Sequence, residues 1–122
     1  KLMNPCAGKS LVVSSYTHPE YALSMAATLE LMGANALLLR GTEGEAVADP
    51  RRAPKMQGFI NGQSIQLQEA QGGTLVTLPD LPKEIDAAST AAYTRGVMAG
   101  DSPVPAPIAQ QVAHILRMVA YL

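Results

Sequence analysis

The sequence has no tryptophan, one phenylalanine, four tyrosines and a single cysteine, Cys6. With so few aromatic side chains, a core must be built from Leu, Val, Ile, Met and Ala, which favours helices packed on a sheet. Cys6 has no second cysteine with which to form an internal disulfide, and this is typical of proteins of the reducing cytoplasm. We therefore expect a cytoplasmic protein in which Cys6 is a small buried thiol rather than a nucleophile.

An excess of charge of one sign is also lacking. Nine Lys and Arg residues oppose ten Asp and Glu residues, which gives a formal net charge of −1. The chain as a whole therefore lacks the electrostatic signature of a nucleic-acid binder, and any basic surface must be local. No apolar run approaches the roughly 20 residues that span a bilayer, and no segment resembles a signal peptide. We expect a soluble protein with no membrane partner and, at 122 residues, at most one domain.

The first forty residues follow a strand, helix, strand pattern. Residues 10–17 are an apolar and β-branched run typical of a buried strand. Residues 17–20 have the spacing of a capping box and predict the start of a helix, which Gly33 would end. Residues 34–41 are apolar on both faces, as expected of a parallel strand covered by helices. This βαβ unit predicts the α/β fold class.

The remainder of the chain predicts a hairpin and two C-terminal helices. Asn61-Gly62 between two strand-like runs indicates a type I′ turn, and residues 74–79 predict one more strand. The helices are expected over about 83–99 and 105–121. In the last helix an apolar stripe is predicted from Ile108, Val112, Ile115, Leu116 and Val119. No motif in the region 57–78 indicates chemistry.

Two short patterns near the first strand bear on ligand binding. Residues 7–10 read AGKS, but a P-loop needs a glycine where Met3 stands and follows a strand instead of preceding one. His18 lies in the first helical turn after a strand, where α/β proteins bind ligands, and it is a candidate site residue. Neither His18 nor His114 has a second ligand at metal-binding spacing.

The loop after the second predicted strand allows two interpretations. Gly41 and Gly44 would let the backbone approach a phosphate closely, and Glu43, Glu45 and Asp49 have carboxylates suited to Mg²⁺. The alternative is an ordinary polar loop with turn glycines. The same region carries a cluster of cations within 16 residues, namely Arg40, Arg51, Arg52 and Lys55. These are either solvated surface side chains or contacts to a phosphate backbone.

Three ordered motifs resemble one protein family across essentially the whole chain. They are MNP, then VVSSYTHPEYALSMAATLELMGANALLLRGTEG, then DAASTAAYTRGVMAGDS before an apolar helix. Together they resemble the C-terminal α/β part of anthranilate phosphoribosyltransferase-like proteins, which are grouped with the pyrimidine nucleoside phosphorylases. The resemblance implies that residues 1–122 are the C-terminal part of that α/β domain, without its first part or the helical N-terminal domain. A first residue Lys1 instead of Met fits a fragment, and the resemblance implies a homodimeric parent protein.

The departures from the family's enzymes bear on activity. The enzymes carry Gly-Pro-x-x-Asn-Pro, in which Asn4 and Pro5 match here, and then His-Gly-x-x-Gly followed by an Asp-Glu pair that binds Mg²⁺ with phosphoribosyl pyrophosphate. Arg40 replaces the histidine, and Ala46 and Val47 stand in place of the acidic pair. Apolar side chains cannot coordinate a hard cation. The resemblance therefore implies a vestigial sugar-phosphate site without a metal, made of Asn4, His18, Gly41, Glu43, Gly44 and Glu45.

One branch of the family is similar to the enzymes in fold but binds nucleic acid with little sequence preference. We accordingly expect nonspecific binding of single- or double-stranded DNA or RNA without a cofactor, through phosphate contacts from Arg51, Arg52, Lys55, Arg40 and Lys9. The alternative is a Mg²⁺-dependent phosphoribosyl or glycosyl transferase acting on phosphoribosyl pyrophosphate and an aromatic acceptor, in which Glu43 or Glu45 recruits the metal. In a third hypothesis this segment is only scaffold.

Overall fold

The computed structural model describes residues 2–75 and 77–122. Over this part of the chain the elements are β1 (Val12–Tyr16), α1 (Pro19–Leu31), β2 (Ala36–Arg40), β3 (Met56–Ile60), β4 (Gln63–Gln68), α2 (Ala87–Met98) and α3 (Ala106–Val119). The strands form one sheet in the order β1-β2-β3-β4. β1 and β2 are parallel, whereas β3 and β4 each run antiparallel to the preceding strand. The predicted α/β class and the βαβ unit are confirmed.

Strand β2 is apolar at each of its four buried positions, Ala36 to Leu39, so the sheet must be covered on both faces. Successive side chains of a strand point to opposite faces. Leu38 of β2 packs with Phe59 and with Leu29 of α1 on one face. Leu37 of β2 packs on the other face in the same cluster as Met118 of α3. The sheet therefore has two separate cores, one under α1 and one under α3.

Helix α1 begins where the sequence predicted, but without a capping box. The N-cap residue is His18, and its side chain makes no capping hydrogen bond. The hydroxyl of Thr17 instead hydrogen-bonds the Nδ1 atom of His18 at 2.9 Å. Pro19 fits the first turn because its missing N–H would have no helical partner there. At the other end Gly33 has a φ of +60° and ends the helix as predicted.

The β3–β4 hairpin has the predicted turn, and its tip is docked on the end of α1. Asn61 and Gly62 have φ angles of +49° and +76°, the positive pair that a type I′ turn requires. The N–H of Asn61 donates to Oδ1 of Asn35 at 2.8 Å, and the N–H of Gly62 donates to the carbonyl of Ala34 at 2.9 Å. A Cβ atom on Gly62 would lie 2.6 Å from the carbonyl oxygen of Glu30.

Other predictions outside the hairpin were also wrong. Residues 74–75 and 77–79 form no strand, because no neighbouring strand pairs with them; Val76 lies outside the described residues. Helix α2 starts at Ala87 rather than near residue 83, because the carboxylate of Asp86 accepts the N–H of Ser89 at 2.9 Å and caps it. Cys6 is exposed. None of the described helices has the length and apolar character needed to cross a membrane.

Helix α3 does not bury the predicted stripe. Its buried residues are Pro107, Gln111 and Met118. The exposed fractions of Val112, Leu116 and Val119 are 49%, 65% and 49%. Ile108 and Ile115 are half-buried. The helix is therefore rotated so that the polar residue Gln111 faces the protein interior, where it hydrogen-bonds Ala46 and Ala48 of the β2–β3 loop.

Candidate functional site

A cleft of ≈ 750 Å³ opens at the carboxyl ends of the two parallel strands. Tyr16 and Arg40, the last residues of β1 and β2, are partners in the strand register, and both line the cleft. The remaining walls come from the start of α1, from residues 70–71 and from residues 41–55, which we call the cleft loop. Ligands of α/β proteins usually bind beyond the carboxyl ends of the strands. The location alone makes this cleft the candidate site.

The cleft is locally basic although the chain is not. Its lining includes four cationic side chains and two carboxylates, namely Arg40, Arg51, Arg52 and Lys55 against Glu43 and Asp49. All four were predicted from the sequence to be phosphate contacts, and the fold brings them around one cavity. Because cations outnumber acids here, the cleft attracts anions despite a net charge of −1 over the whole chain.

Arg51 is already paired. Its Nε and Nη2 atoms donate to the two carboxylate oxygens of Asp49 at 3.0 and 3.1 Å, and its backbone N–H donates to Oδ1 at 2.9 Å. These hydrogen bonds from Arg51 lower the pKa of Asp49, and the same pairing raises the pKa of Arg51. Asp49 therefore stays ionised near neutral pH and offsets the charge of Arg51 within the cleft.

The other three cations differ in how far they are engaged. The Nη1 atom of Arg52 donates to the carbonyls of Gln71 and Gly73 at 3.1 and 2.9 Å, so this half-buried side chain also ties the following segment to the cleft. Arg40 and Lys55 are exposed. Within the described part of the chain, neither of these two side chains has a carboxylate partner. Arg40 and Lys55 are thus the cations most available to an incoming anion.

The first part of the cleft loop is a strained turn. The N–H of Glu45 donates to the carbonyl of Thr42 at 2.9 Å, and the central residues Glu43 and Gly44 have φ angles of +50° and +85°. A non-glycine residue in this left-handed region costs about 1–2 kcal/mol. Such conformations persist only where surrounding contacts impose them, and they are concentrated at functional sites.

Strand β1 supplies one of those contacts. Gly41 is buried against it, and a Cβ atom on Gly41 would lie 2.7 Å from Cβ of Ser15 and 2.0 Å from the carbonyl oxygen of Glu45. The hydroxyl of Ser15 donates to the carbonyl of Gly44 at 3.3 Å. Gly41 therefore lets the turn lie directly on the end of β1, which no larger residue would allow without moving the loop.

Helix α3 holds the middle of the cleft loop. The side chain of Gln111 is 5% exposed; its Nε2 atom donates to the carbonyl of Ala46 at 2.9 Å, and its Oε1 atom accepts from the N–H of Ala48 at 2.8 Å. Ala48 is itself buried in the same core as Met118. Gln111 was not predicted from the sequence, because hydrophobicity predicts a buried helix face made of apolar residues. Gln111 lies four residues after Pro107 and seven before Met118, and this helical spacing places the three residues on one face of α3.

Of the three carboxylates predicted to bind a metal, Glu43 and Asp49 line the cleft, but the site lacks a third ligand among the described residues. Ala46 and Val47, the two residues predicted to stand in place of an acidic pair, have side chains without a donor atom; Val47 is 45% exposed and Ala46 is half-buried. Glu43 lines the cleft, whereas Glu45 does not. Among residues 2–75 and 77–122, no group of three His, Cys, Asp or Glu side chains is placed to hold a metal ion.

The structure places Asn4 and Lys9 away from the cleft. Both line a second depression, at the amino ends of β1 and β2, together with Gly33 and Asn35. The side-chain amide of Asn4 donates there to the hydroxyl of Ser10 at 2.7 Å. Since β1 and β2 are parallel, this depression and the cleft lie at opposite edges of the sheet. The predicted residues are therefore divided between two places.

The two histidines lie outside the cleft. His18 is exposed beside it, with its ring edge-to-face on Tyr21 at a centroid distance of 5.9 Å. In His114, Nε2 hydrogen-bonds Oε1 of Gln68 at 3.1 Å, which joins α3 to β4. Burial and the nearby charge of Arg117 lower the pKa of His114. His114 is a neutral structural contact near pH 7, and His18 borders the cleft without lining it.

No family model matches this chain. The chain is similar to uncharacterized protein YbiB of Escherichia coli (strain K12), with 35% identity over 121 residues. This alignment covers 95% of the chain and 36% of the relative, so the chain spans little more than a third of the length of the curated relative it matches.

Proposed function

We propose that this chain binds nucleic acid without sequence preference, on a scaffold like that of anthranilate phosphoribosyltransferase. The observation that carries the proposal is the convergence of Arg40, Arg51, Arg52 and Lys55 on one cleft in a chain with no overall positive charge. Contacts from Lys and Arg to phosphates supply affinity that does not depend on the base sequence.

The four cations have different roles in this proposal. Arg40 and Lys55 contact phosphates directly, since both are exposed and without a carboxylate partner among the described residues. Arg51 contributes less, because a phosphate must compete with the carboxylate of Asp49 for its guanidinium. Arg52 contributes to binding partly by holding the segment that contains the Gln71 and Gly73 carbonyls against the cleft. Lys9 lies at the other edge of the sheet and is not part of this cleft.

The second candidate is the Mg²⁺-dependent phosphoribosyl or glycosyl transferase, in which Glu43 or Glu45 recruits the metal. It is favoured by the left-handed Glu43 on the cleft wall, since strained residues are concentrated at functional sites. The donor set does not support it: the carboxylate of Asp49 is engaged by Arg51, and the described residues include no cluster of three metal-ligating side chains.

The test is a fluorescence anisotropy titration of a labelled single-stranded DNA with the whole protein, at two salt concentrations. The double variant Arg40→Ala, Lys55→Ala is compared with Lys83→Ala, Arg95→Ala, which removes the same charge from exposed positions outside the cleft. We expect affinity to fall with salt, and the slope of log K against log salt to become shallower by about 0.7 per lost contact on single-stranded DNA, in the cleft variant only.

Two results would overturn the proposal. The first is no binding by the unmodified protein at low salt. The second is an equal loss of affinity in both double variants, which would mean that affinity depends on the total charge of the chain and not on the cations of the cleft. Binding of phosphoribosyl pyrophosphate that requires Mg²⁺ would instead support the transferase candidate.

A further inference from the structure

We propose that Gln111 is a positioning residue that holds the cleft loop in the shape required for phosphate binding, without touching the ligand. The inference rests on the proposed function of the cleft. Gln111 bonds Ala46 and Ala48, which lie midway between Arg40 at the start of the loop and Arg51, Arg52 and Lys55 at its end.

The two hydrogen bonds of Gln111 form a specific clamp. One end of its amide donates to the Ala46 carbonyl and the other accepts from the Ala48 N–H, so the side chain bonds alternate residues as a neighbouring strand would. The side chain is 5% exposed, and a polar group buried to this degree requires partners. Both polar ends of the amide have one, and both partners belong to the cleft loop.

The cleft loop needs such a clamp because it has little regular structure of its own. It connects β2 to β3 without a helix or a strand, and it includes the left-handed Glu43. A loop that is free to sample many conformations loses entropy when it is ordered by a ligand. Fixing residues 46 and 48 in advance keeps the two cationic ends of the loop facing the same cavity.

A second anchor operates on the same loop from another element. Ser15 of β1 holds the Gly44 carbonyl at 3.3 Å, a longer contact than either bond of Gln111. Ala48 next to the clamp is 1% exposed in the core under α3. The loop is therefore fixed from β1 near its start and from α3 at its middle, and α3 provides the stronger contact.

The experiment separates positioning from contact through salt dependence. Gln111→Met keeps an unbranched side chain of similar volume but removes both hydrogen bonds, and Gln110→Met alters the exposed neighbour as a matched control. In Gln111→Met we expect faster amide hydrogen exchange at Ala48 and a Kd for single-stranded DNA raised roughly tenfold. The slope of log K against log salt should not change, because every cation is still present. In Lys55→Ala that slope should become shallower by about 0.7.

Gln111→Asn provides a second variant if the methionine variant folds poorly. Its amide is one methylene shorter, so it should also raise Kd with an unchanged salt slope. An unchanged Kd in either folded variant, with faster exchange at Ala48, would make the clamp merely structural and overturn the inference while the proposed function stands. A lowered salt slope would equally overturn it, by making Gln111 part of the contact surface. If the unmodified protein bound no DNA, the proposed function would fail first and the inference with it.

Discussion

At the scale of single residues, the affinity of the cleft depends on how its charges are already paired. Asp49 engages the guanidinium of Arg51 through both carboxylate oxygens. The pKa of Asp49 is lowered below its ordinary value of 3.8, chiefly by that hydrogen bond. The sign of the pH effect follows: the pairing is complete above 3.8 and is lost only as the pH falls through the lower pKa of the folded state. At neutral pH, Asp49 acts as a constant internal competitor of phosphate.

Replacing Asp49 with asparagine should therefore strengthen nucleic-acid binding. Asp49→Asn removes one negative charge from the cleft and releases Arg51 for a phosphate, so the slope of log K against log salt for single-stranded DNA should become steeper by up to about 0.7. Asp101→Asn serves as the control, because it removes the same charge from an exposed position outside the cleft. Anisotropy titrations at three salt concentrations measure both quantities. Weaker binding by Asp49→Asn would mean that Asp49 serves mainly to orient Arg51.

The residue scale also shows why the site was only partly predictable. Arg40, Arg51, Arg52 and Lys55 are close in sequence, and a loop at the carboxyl edge of a parallel strand brings such residues together. Lys9 resembles them only in its charge. Its distance from the cleft follows from its position before β1, at the amino edge of the sheet. Gln111 is 63 residues from Ala48, and no local sequence pattern predicts a contact between residues so far apart.

At the scale of elements, the helices, strands and turns that depend on neighbouring residues in the sequence could be predicted. The β1–α1–β2 unit and the Asn61-Gly62 turn depend on residues adjacent in sequence, and both are confirmed. The strand predicted over 74–79 depends on a partner strand, which its own sequence cannot supply. The buried face of α3 depends on the cleft loop, whose polar backbone atoms bind Gln111 and so set the rotation of the helix.

The docking of the hairpin on α1 makes Gly62 sensitive to substitution. Gly62→Ala should lower the free energy of unfolding by about 2 kcal/mol or more, since the left-handed conformation alone costs about 1–2 kcal/mol. The remainder comes from the clash of the new Cβ with the Glu30 carbonyl at 2.6 Å. Gly72→Ala is the matched control, because a Cβ there meets no atom within 4 Å. Urea unfolding monitored by circular dichroism measures both, and equal stabilities would contradict the docked position of the hairpin tip.

At the scale of the whole molecule, the two faces of the sheet have different relations to the cleft. The core under α3 contains Ala48 of the cleft loop together with Met118. The core under α1 contains Leu29 and Phe59 and no residue of that loop. Stability and binding should therefore be coupled through α3 more strongly than through the Leu29–Phe59 cluster.

Matched truncations in the two cores test this coupling. Met118→Ala and Leu29→Ala each remove a side chain that is 1% exposed, and each should cost roughly 2–5 kcal/mol of stability. Met118 lies seven residues, or about two turns, beyond Gln111 on the same face of α3, so its loss should also loosen the clamp on the cleft loop. At a temperature where circular dichroism finds both variants folded, we expect Met118→Ala to raise the Kd for single-stranded DNA several-fold more than Leu29→Ala, in proportion to faster amide exchange at Ala48. If both variants lost affinity equally, binding would follow global stability, and the cleft would not depend on the packing of α3.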